Sequence, residues 1–268
     1  MLSEGINKAI PMSEYLNDPG VSSSSLVTIK THSPLEYQAK KGLPSIETAA
    51  LTRGTTLHSA LLEPETFDDL YVYGEDFGPQ TSKKNKEKKA EFLENNKGKI
   101  VVPYKDIQLI EASKEALEKN DTIRDLISDS EVEVTGISSA SHHMVKGGIR
   151  IKTREDLIDS NGWIWDLKTT SDGLSEHEML RTIYKYNYHF KAAHHVAVMR
   201  RCGMDIKGFG WIFLSTTSLK PQFIARKCSD LLMMKAEDEW SMSLSMLSLC
   251  MKNNYFPGFP EEIKTIGD

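Results

Sequence analysis

The chain has 268 residues, 39% of them hydrophobic and 26% charged, which suits one large folded domain and excludes wholesale disorder. No run approaches the ~18–20 apolar residues that span a bilayer; the opening MLSEGINKAI lacks a secretory leader's apolar core, and Cys202, Cys228 and Cys250 lie too far apart for a disulfide framework or a C-x-x-C metal site, so a reducing, cytoplasmic setting is expected. A formal net charge of −5 excludes a protein that coats nucleic acid but leaves DNA open as a substrate, because local charge decides.

Residues 1–20 show no steady apolar period and read as a loosely held extension ahead of a single domain over 21–268. Next, the serine run ending at Ser25 predicts a short helix capped by Ser24, with Leu26 and Ile29 on one face. Ser33-Pro34 opens a second helix with proline in its first turn. Thr55 to Leu62 reads as a further short helix, preceded by Gly54 and closed by Pro64. Residues 71–89 look loop-like. Between Thr81 and Lys105 eight lysines face three acids, a net of about +5 that fits either a solvated, partly helical surface or a phosphate-contacting flank. A single helix is expected from Lys105 to Ser128, carrying Ile107, Ile110, Leu117, Ile123 and Leu126. Strands follow at Glu131–Val134, Gly148–Arg154 and Gly162–Lys168, with a hairpin turn over His142–Gly148. Ser175 and Glu178 have capping-box spacing and open a long helical stretch with a break in the region of Asn187. Two more strands (Ile206–Ser215, Gln222–Lys227) and a helix rich in Met and Leu (Ser229–Lys252) complete one α/β or α+β domain.

The most informative segment is IRIKTREDLIDSNGWIWDLKTT, Ile149 to Thr170. Asp156 ends one strand, a turn follows at Ser160-Asn161-Gly162, and the next strand carries Asp166 and Lys168 on one face, because residues i and i+2 of a strand point the same way. Two converging carboxylates repel unless a cation neutralises them, and hard oxygen ligands suit Mg²⁺ or Mn²⁺. Taken alone, an Asp-x-Lys triplet also fits an exposed charged hairpin. Here Trp163, Ile164, Trp165 and Leu167 suit the strand to burial, where unpaired charge is costly.

Asp156, nine intervening residues, then Asp166-Leu167-Lys168-Thr169-Thr170 resembles the signature of PD-(D/E)XK nucleases, in particular the RecE group. In that group Arg-Pro-Asp ends the first strand; this chain has Arg154-Glu155-Asp156. The stretch Arg53-Gly54-Thr55-Thr56-Leu57-His58-Ser59-Ala60-Leu61-Leu62-Glu63-Pro64 is similar to the group's G-T-x-L-H helix. Ser24-Ser25-Leu26 with Ser33-Pro34, and Phe256-Pro257-Gly258-Phe259-Pro260-Glu261-Glu262-Ile263, resemble its terminal elements. The matches run in the group's order over nearly the whole chain.

The resemblance implies a restriction-endonuclease-like α/β (α+β) core, a central mixed β-sheet flanked by helices. It makes His58, Asp156 and Asp166 side-chain metal ligands, with the Leu167 carbonyl completing the set. Lys168 would position the attacking water, so that Asp156, Asp166 and Lys168 form the catalytic group. Glu131 or Glu133 matches an upstream acid. Ser24, Arg53, Arg154 and Lys191 become DNA contacts. The group's Gln-x-Ala-x-Tyr is replaced here by Lys191 and His195 at the glutamine and tyrosine positions. Adjacent His194 and His195 point about 100° apart on a helix and do not chelate one ion. The implied activity is Mg²⁺-dependent 5′→3′ digestion of double-stranded DNA ends, Mn²⁺ substituting. It leaves a 3′ overhang for a single-strand annealing protein of RecT type. A homo-oligomeric ring, trimer or tetramer, with no membrane association is implied as well. The alternatives are a catalytically altered, DNA-binding relative or another end-processing nuclease of the superfamily.

Overall fold

Runs of β-branched and aromatic residues in the second half of the chain gather into one sheet, and the helices of the first half are laid against it. A computed structural model describes residues 1–43, 48–79, 81–142, 145–217 and 220–261. In chain order these form β1 (Gly5–Asn7), α1 (Met12–Asn17), α2 (Ser23–Thr31), α3 (Pro34–Lys40), α4 (Ala49–Leu62), α5 (Pro64–Leu70), β2 (Tyr71–Tyr73), α6 (Lys83–Asn95), β3 (Ile100–Val102), α7 (Tyr104–Glu118) and α8 (Asp121–Ser128). There follow β4 (Ser130–His142), β5 (Val145–Asp159), β6 (Trp163–Thr170), α9 (Glu176–Lys185), α10 (Tyr188–Arg201), β7 (Gly208–Ser215), β8 (Phe223–Lys227) and α11 (Asp230–Asn253).

The six-stranded sheet runs β1-β4-β5-β6-β7-β8 and is mixed: β6 and β7 are parallel, the other neighbours antiparallel. A parallel neighbour needs a crossover, which α9 and α10 supply. One face packs on α4, α5, α7 and α8 through Leu57, Leu61, Phe67, Ile110, Leu157, Trp165 and Leu167. The other is covered by α2, α9, α10 and α11, through Leu26, Met179, Phe190, Val196 and Leu247. Helices on both faces leave β7 buried along Phe209–Leu214, which is why it reads as a continuous apolar run. Among the described residues no helix is long and apolar enough to cross a membrane.

Four expectations are corrected. Residues 1–20 do not hang loosely: β1 pairs with β4, and buried Asp18 accepts hydrogen bonds from Arg150 at 2.7 and 3.0 Å. Their anchor is a three-residue strand and an ion pair, neither of which has an apolar period. The single helix over 105–128 is two, because the Asn120 side chain accepts from the Ile123 N–H and caps α8. Residues 71–89 contain β2 and the start of α6, a helix with no buried residue. Strands β4 and β5 are longer than their sequence signals, and residues 143–144 of the expected turn lie outside the described residues. At the C-terminus, the Leu35 N–H donates to the Pro257 carbonyl at 3.0 Å, docking the Phe256-Pro257 segment on α3; Glu262 and Ile263 lie outside the described residues.

Candidate metal centre

The site forms where β5 turns over. Ile149 and Ile151 pack with Phe190 and Ala193 of α10, yet Leu157, also odd-numbered, packs with Leu57 of α4 on the opposite face. On the partner strand the register runs Val134↔Glu155 and Val132↔Leu157, and Glu133 between them adopts a left-handed φ of 55°. Such a conformation is uncommon for a glutamate and marks local strain. The turnover brings the Asp156 and Glu133 carboxylates together.

Helix α4 supplies the third group. Leu57, Ala60 and Leu61 are buried against the sheet, which sets His58 over β6. Its Nε2 lies 2.9 Å from Asp156 Oδ2 and 3.2 Å from the Leu167 carbonyl oxygen. The Leu167 N–H donates to the same Asp156 Oδ2 at 2.8 Å. Among the described residues, His58, Glu133 and Asp156 each offer one ligand atom within 4.8 Å of the others. Next to them, Lys168 Nζ donates to Asp166 Oδ1 at 2.5 Å and reaches the Leu167 carbonyl at 3.4 Å.

The charges explain one another. Burial would raise the Asp156 carboxyl, but the His58 imidazole and the Lys168 ammonium hold it far below the usual carboxylate range. Asp166 is pushed up by burial and by the charge of Asp156 in spite of Lys168. Burial disfavours the charged form of Lys168, and Asp166 and Asp156 outweigh it, so the lysine is held as an ammonium. His58 follows the same pattern, raised by Asp156 against its burial. His58 Nε2 thus touches both the carboxylate and the carbonyl that a divalent cation would use. One imidazole nitrogen, two carboxylates and a carbonyl form a nitrogen–oxygen donor set that fits a divalent ion such as Mg²⁺ or Mn²⁺.

The structure thus gathers His58, Asp156, Asp166, Leu167 and Lys168, with Asp166 bound to Lys168 beside the His58–Glu133–Asp156 group rather than within it. Of the two upstream acids, Glu133 is the one at the site, while Glu131 pairs with Lys8 at the surface. The left-handed turn that admits Glu133 leaves no mark in the sequence.

The expected DNA contacts fare differently. Ser24 is exposed and does not cap α2; the cap is Ser22, whose Oγ accepts from the Ser25 N–H at 3.3 Å. Arg53 is committed to Asp106 at 2.8 Å, and Arg154 to Glu133 and the Ile10 carbonyl. Lys191 reaches the site: its ammonium and that of Lys168 lie over the Tyr188 ring, 5.4 and 5.5 Å from its centroid.

Residues 22–267 match a family described as a PDDEXK-like domain of unknown function, DUF3799. No curated protein matches the chain in sequence. Among solved structures, a candidate exonuclease from Eubacterium rectale is similar with a TM-score of 0.59 and 14% identity over 92% of this chain and 88% of that one, a likeness of fold alone. A phage related exonuclease from Haemophilus somnus 129PT, also 14% identical, covers 90% of this chain and 99% of its own, but its TM-score of 0.33 adds nothing to the comparison.

Proposed function

The chain belongs to the PDDEXK-like family DUF3799, and on that premise we propose that it is a divalent-metal-dependent exonuclease acting on double-stranded DNA ends. The observation that carries this reading is the convergence of His58 Nε2, Asp156 Oδ2 and the Leu167 carbonyl, with Glu133 alongside and the Lys168 ammonium next to them. Glu133 and Asp156 are half-buried and converge, and converging carboxylates repel one another unless cations share them.

In this reading His58, Glu133, Asp156 and the Leu167 carbonyl hold the ion, and Asp166 completes the acidic edge. Mg²⁺, or Mn²⁺ in its place, supplies water activation and charge neutralisation in phosphodiester hydrolysis. Lys168, steered by Asp166, presents fixed positive charge to the phosphate as negative charge develops there. Lys191 adds a second ammonium at the same rim. The first turn of α2 offers amide N–H groups to a 5′-terminal phosphate, which gives 5′→3′ polarity and a 3′ overhang for a RecT-type annealing protein. A homo-oligomeric ring in the cytoplasm completes the proposal, its basic channel reconciling a net charge of −5 with a polyanionic substrate.

The test is digestion of uniformly labelled linear duplex, with 5′-phosphate or 5′-hydroxyl ends, beside a uniformly labelled closed circular control. Release of label from the linear form only, faster on 5′-phosphorylated than on 5′-hydroxyl ends, supports the reading. Cutting of the circle at the same rate contradicts it.

A further inference from the structure

Two positions at which this chain departs from the RecE-like pattern meet in space. Glu155 stands where that pattern has proline and His195 where it has tyrosine, and His195 Nδ1 donates to Glu155 Oε2 at 2.7 Å. Glu155 is 1% exposed, and among the described residues its other oxygen, Oε1, has no hydrogen-bond partner. Burying a carboxylate in this way is unfavourable unless it orients a positive or polar group. Thr153 Oγ1 lies 2.9 Å from the same Nδ1. Held from that side, the ring keeps one proton on Nδ1 and turns Nε2 the other way, where the second N–H of the imidazolium form is placed to donate to an anion.

Nε2 faces Ser23 Oγ at 3.4 Å, too long for a strong bond. Ser23 is the first residue of α2, a position whose amide N–H has no partner inside the helix. His195 follows Lys191 by four residues and Tyr188 by seven on α10, so the three share a helix face. The Tyr188 ring in turn carries the ammonium groups of both Lys191 and Lys168.

We propose that Glu155 is a positioning residue that aims His195 Nε2, together with Ser23 Oγ, at a phosphate of the DNA strand passing Asp166 and Lys168. The proposal rests on the nuclease reading and names residues for its substrate contact. Ser23 and His195 touch the phosphate; Glu155 acts only through the ring. The chemistry is that of a phosphate oxygen, and a terminal monophosphate or an internal phosphodiester presents it equally.

The experiment compares wild type with His195→Asn, Glu155→Gln, His195→Gln and the Glu155→Gln/His195→Asn double variant. Asparagine keeps an amide where Nδ1 meets Glu155 and removes the reach of Nε2. KM for linear duplex is expected to rise roughly ten- to a hundredfold in His195→Asn, the scale of one lost charge-assisted hydrogen bond, with kcat and melting temperature close to wild type. Glutamine, whose amide reaches the Nε2 position, brings KM back toward wild type. The double variant is no worse than His195→Asn alone, because a residue acting through the ring has nothing left to act on. A terminal phosphate makes the effect vanish on 5′-hydroxyl ends, and an internal phosphodiester preserves it. Binding of a fluorescent duplex in EDTA is measured in parallel, so that a wild type that binds DNA and fails to cut it with Mg²⁺ or Mn²⁺ overturns the nuclease reading alone. KM and Kd unchanged in His195→Asn, or a Glu155→Gln effect that adds in full to it, overturns the positioning role.

Discussion

Lys168 is half-buried, bonded to Asp166 and held as an ammonium by two carboxylates. A group locked in its charged form stabilises developing negative charge rather than accepting a proton. Replacement by alanine is therefore expected to slow single-turnover hydrolysis by roughly 10²–10⁴ while DNA binding and metal binding persist. A rate equal to wild type would reduce Lys168 to a charge on the strand face. Glu133 makes a complementary case. If it shares the ion with His58 and Asp156, wild type gains about 2.7 kcal/mol of stability at a Mn²⁺ concentration a hundredfold above its Kd. Glu133→Gln should gain distinctly less at that concentration, and an equal melting shift would remove Glu133 from the ligand set. His58, Asp156, Asp166 and Lys168 were legible in the sequence because their order and spacing persist along the chain. Glu133 was only half legible: the choice between Glu131 and Glu133 depends on one left-handed residue in β4, and nothing in EVEV announces it.

Elements were legible where short-range chemistry decides them and illegible where long-range packing does. Ser175 caps α9 through the Glu178 N–H as its spacing indicates, and the strand-turn-strand of β5 and β6 follows from Ser160-Asn161-Gly162. In the serine run before Leu26, by contrast, four candidate caps look alike in sequence. Ser22 takes the position, since Ser23 turns inward to His195. Ser22→Ala is accordingly expected to cost about 0.5–2 kcal/mol, and Ser24→Ala, at an exposed first-turn position, to stay within about 0.5 kcal/mol of wild type. Urea denaturation of the two variants measures this directly. The reverse order would restore Ser24 as the cap.

At the scale of the whole molecule, the N-terminal segment is fastened to the sheet by the buried Asp18–Arg150 pair. Burial alone would raise the Asp18 carboxyl, but Arg150 and the N–H groups of Gly20 and Leu2 lower it to about 2, against about 3.9 in an unfolded chain. A carboxyl depressed in the folded state stabilises fully above its unfolded value and loses that contribution as pH falls toward its folded value. The contribution amounts to about 2–3 kcal/mol. The stability difference between wild type and Asp18→Asn should be constant above about pH 5 and shrink between about pH 4 and pH 2; a difference independent of pH would contradict the pairing. The proposed nuclease function requires that the group built by the sheet and helix α4 together bind a divalent ion. Its most direct test is digestion of linear duplex by wild type and by Asp156→Asn, folding checked by melting, across a Mn²⁺ titration that starts in EDTA. Wild type should release nucleotides only once the ion is present, with Asp156→Asn inert at every concentration; cleavage in EDTA, or undiminished cleavage by Asp156→Asn, would contradict the assignment.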